Sequence, residues 1–152
     1  MLRMRCSQYG SKTAMLAPAK EGFREIGYGE LFETVRAYAG AVDSLGLKKG
    51  DRLVIISENC PEWAFADWAC QTLGIIVVPI YPTLPPDQAQ YIVKDCGAAV
   101  VLAGDASQAK KIEGLEGVRT VVLKGDGSVD AMAHDGKHPI DAAEWDKRID
   151  AI

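Results

Sequence analysis

Three consecutive stretches decide the fold: Leu53-Val54-Ile55-Ile56, the segment from Asn59-Cys60-Pro61-Glu62-Trp63 to Cys70, and Ile75-Ile76-Val77-Val78-Pro79-Ile80. The first is apolar on both faces, as a strand buried in a parallel sheet must be. In the second, Asn59 is expected to cap a helix, with Pro61 in its first turn and Glu62 at the third position. That helix carries Trp63, Ala64, Phe65, Ala66, Trp68, Ala69, Cys70 and Leu73. It is apolar nearly all round, which predicts deep burial. Gly74 ends it, and Ile75 to Ile80 is the next strand. Pro79 has no amide hydrogen, so that strand frays or meets a sheet edge there.

Downstream the alternation continues. Thr83-Leu84-Pro85-Pro86 opens a helix with the apolar face Ala89, Ile92, Val93 and Cys96, closed by Gly97. Ala98 to Leu102 is a third strand, Ser107 to Ile112 a helix, and Val118 to Leu123 a fourth strand. Strands alternating with helices imply a parallel sheet with right-handed crossovers. Residues 124–139 read as loop. Asp141 with Glu144 caps a last helix bearing Trp145, Ile149 and Ile152, still running at the final residue.

Upstream, Thr13 to Ala17 and Phe23 to Ile26 flank a turn and form a hairpin. Leu31, Val35, Tyr38, Val42 and Leu45 then fall on one helical stripe that Gly46 stops. Gly27 stands at the helix start without a side chain to cap it. The expected class is therefore α/β: a βαβαβαβ parallel-sheet subdomain led by a hairpin and an amphipathic helix. Its parts are 9–50 (hairpin and helix), 51–123 (β/α repeats) and 124–152 (loop and terminal helix).

Composition narrows the function. Apolar residues make up 48% and charged residues 25%, which is ordinary for a globular domain. The longest apolar run, Ile75 to Tyr81, falls far short of the roughly 20 residues that span a bilayer. The basic start lacks the apolar stretch of a secretory signal. Residues 1–52 carry nine Lys/Arg against six Asp/Glu, and residues 53–152 carry eight against fifteen. The acidic bulk excludes a nucleic-acid footprint. The basic start leaves peripheral contact with an anionic membrane open, against the plainer reading of a solvated terminus. Cys6, Cys60, Cys70 and Cys96 form no Cys-x-x-Cys pair, so a reduced, cytoplasmic protein is expected.

Little in the residues carries chemistry. No nucleotide-binding glycine fingerprint is present. His134 and His138 have a metal-like spacing but no cysteine pair beside them. Ser44 and Ser57 lack a nucleophile elbow. Asp67, inside an apolar helix, is either a partnered structural carboxylate or a general base. The stiff Tyr81-Pro82-Thr83-Leu84-Pro85-Pro86 loop lies at the carboxyl end of a parallel strand, the edge where open α/β sheets bind ligands. It is either a ligand wall or a rigid turn that positions the next helix. The Ser57-Glu58-Asn59-Cys60 turn lies on the same edge.

Four phrases occur in order: Gly27-Tyr28-Gly29-Glu30-Leu31, Leu45 to Leu53 (Leu-Gly-Leu-Lys-Lys-Gly-Asp-Arg-Leu), Ser57-Glu58-Asn59-Cys60-Pro61-Glu62-Trp63, and Gly74 with Val78-Pro79-Ile80-Tyr81-Pro82-Thr83-Leu84. Together they resemble the start of AMP-forming long-chain fatty-acid–CoA ligases, over almost the whole chain from about Tyr9. Two positions depart from the family pattern: Gly27 replaces a capping Ser/Thr and Pro85 a Ser, which leaves Thr83 to take over the second cap.

The resemblance implies an enzyme that uses ATP, Mg2+ and CoA to convert a fatty acid to its acyl-adenylate and then to acyl-CoA. The family's Ser/Thr/Gly-rich phosphate loop, Mg-holding glutamate, ribose-binding aspartate and mobile lysine have no match here. The fragment is therefore expected to have no catalytic or metal-binding residue and no bound cofactor. It is expected to be inactive alone, and to depend on the remainder of a ligase chain as partner, with a homodimer left open. The resemblance places Tyr81, Pro82, Thr83 and Tyr91 on the CoA side. The rival expectations are a stand-alone flavodoxin-like binding module, and a structural remnant that associates through uncovered core.

Overall fold

The computed structural model describes residues 2–152. Its first element is a short helix, α1 (Leu2–Tyr9), where the sequence suggested no element. The hairpin follows as β1 (Thr13–Pro18) and β2 (Phe23–Gly27), paired antiparallel with a register shift between Thr13 and Met15. Helix α2 (Tyr28–Asp43) buries Leu31, Val35, Tyr38 and Val42, four members of the expected stripe. Each such side chain, fully buried, contributes about 1.5–3 kcal/mol relative to exposure. Gly46, at φ +86°, makes the left-handed turn that leads the chain away from this helix.

The central sheet contains β3 (Arg52–Ile56), β4 (Ile76–Ile80), β5 (Val100–Ala103) and β6 (Arg119–Val122), all parallel, in the order β4-β3-β5-β6. Helices α3 (Pro61–Thr72), α4 (Pro86–Cys96) and α5 (Ala106–Lys111) make the crossovers. Side chains alternate between the sheet faces, so β3 feeds two cores. Leu53 and Ile55 pack with α2, α3 and Trp145, whereas Val54 and Ile56 pack with Ala89, Val93 and Ile112 of the α4–α5 layer. This explains the unbroken apolar run in β3. The chain steps from β3 out to β4 across one face, then returns past β3 to β5 across the other. Among the parallel strands this is the flavodoxin-like order, with its reversal between β3 and β5.

The sheet margins differ. On β4 the Ile76 amide donates inward to the Asp51 carbonyl at 2.8 Å. By alternation the nitrogen of Pro79 faces outward, where its missing hydrogen is tolerated. On β6 the amides of Arg119 and Leu123 donate to the carbonyls of Ala99 and Ala103. Those of Thr120 and Val122 face outward, and no proline blocks them.

Several local expectations are corrected. The N-cap of α3 is Cys60, not Asn59, and no side chain caps that end. With Pro61 already in the first helical turn, Asn59 lies one residue too far back, and proline removes one of the amides a cap would serve. Helix α3 is buried on one side only, with Trp63 and Trp68 partly exposed. At α4 the N-cap is Pro85, again without a side-chain hydrogen bond, so Thr83 does not take over the cap. Residues 124–139 are not all loop. Ser128 accepts from the Ala131 amide at 3.0 Å and starts α6 (Val129–His134). The last helix, α7 (Ala142–Asp150), is capped by Asp141 as expected, but it ends before the final residue. Among the described residues no helix is long and apolar enough to cross a membrane.

Candidate functional site

The turn after β3 and the loop after β4 meet at the carboxyl edge of the sheet. They enclose a pocket of about 320 Å³ lined by Ser57, Glu58, Asn59, Trp63 and Pro79 to Pro82. Two of the four phrases in the sequence thus build one concavity. Tyr81 stands at its rim, 79% exposed, and Trp63 forms part of its wall. The Leu84 amide donates to the Tyr81 carbonyl at 3.1 Å and closes the turn.

Of the four residues expected on the CoA side, Tyr81 and Pro82 line this pocket. Thr83 is exposed beside it, and Tyr91, 68% exposed on α4, lies outside its lining. Sequence reasoning missed Lys111. Its Nζ donates to the carbonyl of Leu84 at 2.9 Å and also to that of Pro82, tying the loop to the end of α5. The separation in sequence left no local signal for this contact.

At the strand-order reversal, Ser57 is buried and Gly104 packs directly against it. A Cβ on Gly104 would lie 2.8 Å from the Ser57 Cβ and 3.1 Å from its Cα. The Gly104 amide donates to the Ile56 carbonyl at 2.9 Å. The Ser57 hydroxyl donates to the Glu58 carbonyl at 2.8 Å. Among the described residues no carboxylate or imidazole is hydrogen-bonded to this hydroxyl.

A second cavity of about 430 Å³ separates the hairpin and α2 from α3 and α6. Tyr38 donates its hydroxyl to Asp130 Oδ1 at 2.7 Å. Burial, reinforced by that carboxylate, pushes the Tyr38 phenol far up. The buried Glu62 Oε2 has no hydrogen-bond partner, and Lys124 Nζ is 3.5 Å away. His134 lines this cavity and His138 a different one, so their spacing does not create a shared site. Among the described residues no group of three or more His, Cys, Asp or Glu is arranged to hold a metal ion. Asp67 accepts from Gln71 Nε2 at 2.8 Å, while burial pushes its carboxyl up. It is a partnered carboxylate.

A doubly wound parallel sheet with a pocket at its carboxyl edge places the chain in the class of open α/β domains, whose ligands bind at that edge. The chain belongs to the AMP-binding enzyme family, whose model matches residues 2–150. It is 32% identical over 130 residues to the long-chain-fatty-acid–CoA ligase FadD15 of Mycobacterium bovis, a match covering 81% of this chain and 22% of that protein. It is 33% identical over 95 residues to the crotonobetaine/carnitine–CoA ligase of Salmonella paratyphi A, covering 62% of this chain and 18% of that enzyme. In fold it is similar to the O-succinylbenzoate–CoA synthetase MenE of Bacillus subtilis in complex with AMP. There the TM-score is 0.77 at 21% identity, over 92% of this chain and 34% of that one. Klebsiella oxytoca NpsA is similar too, with a TM-score of 0.71 at 21% identity, over 93% of this chain and 28% of that one. The chain spans about a fifth of the length of the curated relatives it matches.

Proposed function

We propose that this chain is the amino-terminal portion of an AMP-forming long-chain fatty-acid–CoA ligase and supplies one wall of its coenzyme side. In such a ligase a fatty carboxylate displaces diphosphate from ATP to give the acyl-adenylate. The CoA thiol then displaces AMP. The observation that carries the reading is the pocket at the β3–β4 edge, assembled from Ser57, Glu58, Asn59, Trp63 and Pro79 to Pro82. These stretches belong to the phrases that resemble the long-chain branch.

The pocket's chemistry limits what it can hold. Glu58 lines it and no cation does, so it repels phosphate groups. Tyr81 and Trp63 suit a flat or apolar portion of CoA instead. ATP and Mg2+ find no fitting donor set here, and we assign no step of adenylation to these residues.

Two experiments test the reading. The purified chain should release no diphosphate from ATP and palmitate, and release at enzyme-like rates overturns the expected inactivity. A chimera of FadD15 with this chain in place of the matched 130-residue segment should form palmitoyl-CoA. A chimera that folds but makes the adenylate without ever passing the acyl group to CoA would support only a scaffold role.

A further inference from the structure

The loop from Tyr81 to Pro85 is short of donors. Pro82 and Pro85 carry no amide hydrogen, and the Leu84 amide is spent on the Tyr81 carbonyl. The carbonyls of Pro82 and Leu84 take their hydrogen bonds from a single group, the Lys111 ammonium. An ammonium has three donors and reaches two divergent carbonyls as a compact point charge. Lys111 forms no ion pair with a carboxylate among the described residues. Its position is itself fixed. The next residue, Ile112, is 2% exposed in the α4–α5 core, and the Lys111 carbonyl accepts from Gln90 Nε2 of α4 at 2.9 Å.

We infer that Lys111 is the positioning residue of the coenzyme-side pocket: its ammonium holds the Tyr81–Leu84 wall in place by serving the two carbonyls that the proline-rich loop cannot satisfy from its own amides. The prolines restrict the shape of the loop, and Lys111 sets where that shape sits over the sheet edge. The link to CoA rests on the proposed function, whereas the ordering of the loop does not.

Amide exchange on the whole chain tests the two separately. In Lys111→Met, which keeps the stem and removes the donors, the Leu84 amide should exchange about tenfold faster or more. The melting temperature should stay within about two degrees. Lys111→Arg, which still presents N–H donors, should keep Leu84 within about threefold of the unmodified chain. A Leu84 amide equally protected in Lys111→Met overturns the inference. So does an Arg variant as loose as Met, because charge and donors would then not be the cause. If the Met variant loses its fold, Lys111→Gln is read against the same thresholds. Calorimetric titration of the FadD15 chimera with CoA, with and without Lys111→Met, is the second arm. A loosened loop with weakened CoA binding supports both readings. A loosened loop with CoA binding unchanged or absent keeps Lys111 as the strap and removes the coenzyme assignment.

Discussion

The indole Nε1–H of Trp145 donates to the hydroxyl of Thr72 at 2.9 Å, and that hydroxyl donates in turn to the Ala69 carbonyl at 2.8 Å. Trp145 is 1% exposed and its ring lies 5.0 Å, centroid to centroid, from that of Phe32. The last helix is thereby fastened to α3 and α2 by one side chain that must satisfy a polar atom inside the core. Trp145→Ala should cost about 3–5 kcal/mol through loss of packing and the cavity left behind. Thr72→Val keeps the volume but strands the indole N–H, at about 1–3 kcal/mol. Urea unfolding checks both, and a Thr72→Val variant as stable as the parent would remove the hydrogen bond from the account.

Gly104→Ala should destabilise by about 1–3 kcal/mol, because the new methyl group meets the backbone and side chain of Ser57 at the tightest point of the sheet edge. Relief requires the Ser57-Glu58-Asn59 turn to move. In a Trp68→Phe, Trp145→Phe background, Trp63 fluorescence should therefore shift together with stability. Gly104→Ala paired with Ser57→Gly should recover part of the loss, since the double change restores room.

Asp105 accepts from the amides of Gln108 and Ser107 at the start of α5, and these bonds hold its carboxyl below the usual 3.8. A carboxyl depressed on folding stabilises the native state above its unfolded pKa. That contribution is lost as pH falls through the folded value. Asp105→Ala should cost about 1 kcal/mol at neutral pH, the usual worth of a cap. The difference from the parent should shrink below pH 3.8. Stability measured from pH 7 to pH 2 reads this directly, and a difference independent of pH would point away from the charged cap.

The Cys70 thiol is buried, and desolvation pushes its pKa up to about 12. Iodoacetamide at neutral pH should therefore leave Cys70 unlabelled in the native chain and alkylate it in urea, as peptide mass spectrometry would show. Labelling of Cys70 under native conditions at the rate of an unfolded control would mean that α3 opens locally.

What could be read from sequence was what sequence neighbours determine. Leu53 to Ile56 announced a strand covered on both faces, and Pro79 announced an edge. Asp141 announced a cap that is present, accepting from the amides of Ala143 and Glu144. The two missed caps share one cause. Asn59 and Thr83 have the chemistry of caps, but prolines just downstream moved the helix starts beyond their reach. Helix α6 was hidden in a polar, glycine-rich stretch whose helical state depends on Ser128 and on Asp130 meeting Tyr38 from a distant helix. At the candidate pocket the two lining phrases were legible. Lys111, which ties the loop down, was not, because nothing in a single sequence brings position 111 to position 82.

Pro79 gives the sheet a direction of growth. The outer margin of β4 cannot present a full ladder, whereas β6 still offers the amides of Thr120 and Val122. Any polypeptide that extends this layer, whether covalently continuous or recruited, has one berth to dock at. Aggregation through strand addition would be one-sided for the same reason, so a proline at Val122 should suppress it while leaving the existing ladder intact.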